Sequence, residues 1–149
     1  MSSGAADVDE LRDFYERYIA AFNARDADAF AGFFHLPVTI FPLASDDKHA
    51  GRPPTIVTDM AHLWPTLPAK WTQSTIDDVR VVADATAFDP RDGLTERRER
   101  RPALQATVTR WAGDEPYEQV HVLYLLAREQ GRLGIKAMVP LAVADRPAT

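Results

Sequence analysis

The chain contains no cysteine, which excludes disulfides, thiol nucleophiles and thiolate metal sites. No apolar run is long enough to span a bilayer, and the opening MSSGAADVDE lacks the basic and apolar regions of a secretory signal. A soluble, cytoplasmic protein with no membrane partner is therefore expected. Also missing are HExxH, a close pair of histidines at ligand spacing, a GxSxG elbow, GxGxxG and a Walker loop. Metal, nucleotide and serine-hydrolase chemistry drop out, and neither a metal nor another cofactor is expected. Nor is there an excess of basic charge: the net charge of −5 argues against a nucleic-acid partner, because duplex affinity depends on neutralising phosphates.

What is present fits one domain. The 149 residues, 46% of them hydrophobic, suffice for one real core and leave little for a second. Residues 1–6 are expected to be a disordered N-terminus of a single domain spanning 1–149. Asp7, with Glu10 three residues on, forms a capping box for a first helix. Val8, Leu11, Tyr15, Tyr18, Ile19 and Phe22 then recur at helical spacing and must be buried. Asn23 to Asp26 ends that helix, and Asp26 caps a second whose apolar side is Phe30, Phe33 and Phe34. Pro37 disfavours helix before it and marks the switch to a strand from Val38 to Phe41.

Further on, residues 44–54 are polar with glycine and paired prolines and read as a loop. Thr55 to Leu67 reads as a third helix carrying Ile56, Met60, Leu63 and Leu67 on one side, ending near Trp64 before Pro65. Strands are expected at Thr75–Ala83, Ala103–Trp111, Tyr117–Arg128 and Arg132–Leu141, with connections short enough for antiparallel neighbours. Between them the charged segment Asp89 to Pro102, DPRDGLTERRERRP, reads as an inserted loop. Its arginines suit phosphate or carboxylate, and local Glu–Arg pairing on a solvated loop is the simpler account.

The run RYIAAFNARDADAFAGFF followed by a short strand resembles the opening of the nuclear transport factor 2-like superfamily, which includes ketosteroid isomerase and SnoaL-like polyketide cyclases. Residues 78–83, DVRVVA, resemble its second strand, and LYLLAREQGRLGIKAMV resembles its closing hairpin. The resemblance implies an α+β fold of cystatin-like type: a curved antiparallel sheet wrapped around three helices of the N-terminal half into a cone with an apolar cavity. It implies a pocket for a small apolar organic molecule, with cyclase-, isomerase- or dehydratase-type acid–base chemistry. The alternative is a noncatalytic binding or homodimerisation module whose cavity is filled by its own side chains. Likeness of fold alone warrants no particular reaction.

Within that resemblance Tyr18 matches the helix-one tyrosine that holds the oxyanion in ketosteroid isomerase. Phe41 and Pro42 fall where its base stands and Leu123 near its second aspartate, so steroid isomerisation by that route is disfavoured. His121, placed by alternation with Gln119, Leu123, Leu125 and Ala127, is assigned the cavity side, where an imidazole could shuttle protons. Tyr18 and His121 are thus the candidate catalytic pair, against the alternative of a core tyrosine and a core imidazole with satisfied polar atoms. His35, at the cavity floor, and Asp59, Trp64 and Leu123 are candidate ligand contacts. His49, His62, Asp46, Asp47, Asp77 and Asp78 are read as solvated or structural. The second apolar row of the fourth long strand, Val120, Val122, Tyr124 and Leu126, is assigned the outer side, where it would pair two copies into a homodimer through the sheet.

Overall fold

A computed structural model describes residues 8–42, 53–60, 69–83 and 102–145. The Asp7 cap, His49, His62, Trp64, the Asp46–Asp47 pair and all but the last residue of the charged segment lie outside them.

The stripe in the first helix is buried as its spacing demands. Helix α1 (Val8–Asn23) turns Leu11, Phe14, Tyr15, Tyr18 and Ile19 inward. Helix α2 (Ala27–Ala31) is one short turn begun by Asp26, whose carboxylate accepts from the Ala29 amide at 3.1 Å.

Among the described residues six strands follow: β1 (Phe34–Ile40), β2 (Thr55–Val57), β3 (Gln73–Ala83), β4 (Ala103–Ala112), β5 (Glu115–Glu129) and β6 (Arg132–Asp145). They form one unclosed sheet in the order β2-β1-β6-β5-β4-β3. All pairings are antiparallel except that of β1 with β6, which is parallel. The sheet is mixed rather than purely antiparallel because β1 enters after the helices alongside a strand from the other end of the chain.

The structure corrects the expected third helix and the expected start of the first strand. Thr55, Ile56 and Val57, read as the start of a third helix, are the edge strand β2, with Val38 opposite Val57. Three successive β-branched residues favour extended backbone, and the edge ladder offers them hydrogen bonds. The β1 strand is accordingly second in the sheet, with β2 outside it. It also begins at Phe34, before Pro37. A proline is tolerated there because the ladder to β6 is irregular between Phe34 and Thr39, so no hydrogen bond is lost to the missing N–H.

At the opposite edge, Asn23 closes the exposed backbone of β3. Its side-chain amide donates to the Ser74 carbonyl and its oxygen accepts from the Ser74 amide, each at 2.8 Å. The β5–β6 turn places Gln130 (φ 53°) and Gly131 (φ 77°) in the left-handed region, the backbone of a tight hairpin turn.

Candidate functional site

Alternation along β5 decides which side chains meet the helices. Val120, Val122, Tyr124 and Leu126 are buried, while His121, Leu123, Leu125 and Ala127 are only half-buried. The Tyr124 hydroxyl lies 3.1 Å from that of Tyr15 on α1, which fixes the even-numbered row as the inner one. Opposite it on β4, Leu104, Ala106 and Val108 share the inner face.

The inner face is packed with rings. Tyr15 and Tyr18 are each 1% exposed and Tyr124 4%. The Tyr18 ring meets those of Tyr15, Phe22, Phe30, Phe33, Phe34 and Tyr124 at centroid separations of 5.4 to 6.3 Å. Its ring packs on those of Tyr15 and Tyr124, which also meet each other at 5.1 Å, so the three phenols form one cluster. Burial raises the pKa of all three, because a phenolate would lose its hydration, and the nearby Arg110 guanidinium opposes that rise. These groups are donors at neutral pH and not bases.

Arg110 and Glu118 stand at the same end of the inner face. They are directly opposed across β4 and β5, in register with inner Val108 and Val120, and Arg110 Nη1 donates to Glu118 Oε2 at 2.8 Å. Their side chains keep 33% and 20% of their surface exposed. On β6, Val143 pairs with inner Val120 yet is 40% exposed, so the helices cover the row around Tyr124 and leave this end of the sheet more open. The neighbouring Tyr117 hydroxyl is buried without a hydrogen-bond partner among the described residues, and Lys70 lies 4.2 Å from its ring centroid.

The residues singled out from the sequence are divided between the two faces. Tyr18 points inward. His121 does not: it lies on the outer face, where its Nδ1 is 3.0 Å from Thr107 Oγ1. The pairing of Tyr18 with His121 in one cavity is therefore wrong. The error is one of parity, since a one-residue choice of face on a strand inverts every assignment along it. Leu123 is likewise on the outer face, and Val122 and Tyr124 are its inward neighbours. The row assigned to a dimer surface is the core row, and the row assigned to the cavity is the outer one.

His35 is 4% exposed and follows inward Phe34 on β1, which puts it on the opposite side of that strand. Its ring lies over Gly134, where an added Cβ would come within 2.6 Å of the imidazole. Nε2 is 2.7 Å from the Arg132 carbonyl and Nδ1 is 3.1 Å from the Arg132 guanidinium, an arrangement satisfied by the Nε2–H tautomer. Asp59 is exposed beyond the edge strand β2. Asp77, at the bulge of β3, takes hydrogen bonds from Thr109 and Gln119 on the outer face.

Tyr15, Tyr124, Arg110 and Glu118 were missed. For the last two the sequence signal was incomplete: the turn at Gly113–Asp114 sets Ala112 opposite Glu115 and Trp111 opposite Pro116, and only a bulge after Arg110 brings that residue opposite Glu118. No group of His, Asp and Glu that could hold a metal occurs among the described residues.

No protein-family model matches the chain, and no curated protein sequence does. Solved structures resemble it in fold. ActVI-ORFA from Streptomyces coelicolor is 14% identical, covers 91% of this chain and 93% of its own, and superposes with a TM-score of 0.57. A nuclear transport factor 2-like protein from Cytophaga hutchinsonii is 10% identical over 92% of this chain and 98% of its own, at 0.58. The beta subunit of benzoate 1,2-dioxygenase from Burkholderia mallei is 8% identical over 95% and 92%, also at 0.58. The fold is the nuclear transport factor 2-like, cystatin-like α+β fold.

Proposed function

We propose that the chain binds a small organic molecule on the inner face of its sheet, against the Arg110–Glu118 pair, with the tyrosine cluster as a packed floor beside it. The pair carries this reading. Two charges directed into the concave side of an otherwise apolar and phenolic sheet stabilise the fold little, because their desolvation offsets their attraction. A ligand with a carbonyl, hydroxyl or carboxylate group gives them a use that packing does not. Glu118 is the carboxylate placed to accept a proton or a hydrogen bond there, and acid–base chemistry on a bound carbonyl compound would rest on it in place of His121.

The test is a thermal-shift screen of small apolar acids and ketones. A ligand at one hundred times its Kd should stabilise the wild type by roughly 2.7 kcal/mol. Glu118→Gln and Arg110→Met should abolish that shift and His121→Ala should keep it. Full stabilisation in both of the first two variants would place the ligand elsewhere and sink the reading.

A second reading rests on the outer face. Leu123, Leu125 and Ala127 of β5 and Val139 of β6 are half-buried there beside buried Ala137, in the middle of the sheet with no described element over them. A second copy of the chain, packed face to face, would remove that row from water. One of the similar structures is itself a subunit of a larger enzyme.

A further inference from the structure

A cavity of about 490 Å³ lies between α1, α2 and the β5–β6 turn, away from the Arg110–Glu118 pair. Phe14, Phe33 and Leu133 give it an apolar wall, and Arg17, Arg128 and Arg132 stand around it with Glu10. Three guanidinium groups against one carboxylate leave a positive recess on a chain whose net charge is −5.

The partners of those arginines show which charge is uncompensated. Arg128 Nη2 donates to both carboxylate oxygens of Glu10, at 2.8 and 2.7 Å. Its Nε is nonetheless buried with no acceptor among the described residues. Arg17 is tied to exposed Asp13 at 2.8 Å and lies 6.0 Å from the centroid of the Phe33 ring. Arg132 meets only the carbonyls of Gly32 and Phe34 and the imidazole of His35, and no carboxylate among the described residues pairs with it. Because it grips the carbonyls on either side of Phe33, its charge stands beside the residue whose ring Arg17 approaches, and all three line the recess. A planar apolar wall flanked by two cations, one without a counter-ion, is complementary to an anion with an apolar body.

We propose that this recess is a binding site for a small aromatic or branched aliphatic carboxylate, its ring or chain against Phe33 and Leu133 and its carboxylate between Arg132 and Arg17. The volume suits a ligand of that size. The proposal is independent of the inner-face reading, and the two sites are far enough apart in the fold to be told apart by position.

Phenylacetate is the probe and its methyl ester the neutral control, titrated into the full chain with amide shifts followed by NMR. Saturable shifts should appear at Gly32 to Phe34 and Gly131 to Leu133, and the acid should bind at least about tenfold more tightly than the ester. Raising the salt concentration should narrow that difference. Arg132→Gln should weaken phenylacetate about tenfold. Since Arg132 also braces the turn, Arg17→Gln, at an exposed site, is the second variant and should weaken it several-fold while leaving the thermal midpoint in place. Equal affinity for acid and ester, the absence of saturable shifts, shifts confined to Val108–Arg110 and Glu118–Val120, or unchanged affinity in Arg17→Gln would each overturn the proposal.

Discussion

At the scale of single residues, the tyrosines have the most to say about pH. All four are held above the ordinary phenol value of 10.0 by burial, and Tyr15 and Tyr18 well above it. A group whose folded pKa is raised binds its proton more tightly in the folded state. The stability this contributes is complete below pH 10 and is lost as the pH climbs from there toward the folded values. Phenolate absorbance in the near ultraviolet and loss of far-ultraviolet circular dichroism should consequently rise and fall together in one alkaline transition. A phenolate signal from Tyr15, Tyr18 and Tyr124 that develops while the dichroism is intact would show that the cluster is open to solvent.

Elements depend on a few local devices. Helix α2 has five residues and cannot be stable by propensity alone, so its start relies on the Asp26 cap and its position on Phe30. Asp26→Ala should cost about 1 kcal/mol in urea unfolding, with an unchanged m-value. A loss below a few tenths would mean that the packing of Phe30 alone holds the turn. Strands followed the same local logic where their neighbours were adjacent in the chain: the β4–β5 and β5–β6 hairpins formed close to their expected bounds, because alternation and tight turns are properties of short segments. The edge strand β2 was misread because its partner, β1, is separated from it by a long connection and three residues carry too little pattern to show it.

For the whole molecule the half-buried outer row of β5 is the surface that a second copy would cover. If a second copy does, replacing Leu123 and Leu125 with aspartate should convert a dimer into a soluble monomer in sedimentation velocity. Replacing Val122 or Tyr124 should instead unfold the chain, because those side chains are in the core. A wild type that sediments as a monomer at micromolar concentration would dismiss the dimer.

What the sequence determined by itself is whatever a short stretch of chain decides: the buried stripe of α1, the Asp26 cap, the hairpins, the absence of thiol chemistry, and the superfamily likeness that these elements carry together. Tertiary structure decided the rest. On β5 both rows are apolar, so nothing local says which faces the helices. The choice fell to the meeting of Tyr124 with Tyr15, residues 109 apart in sequence. That single contact put His121, Leu123 and the candidate dimer row on the side opposite to the one expected. It also turned Arg110 and Glu118 inward, because a strand cannot present one residue to the core without fixing the direction of every other.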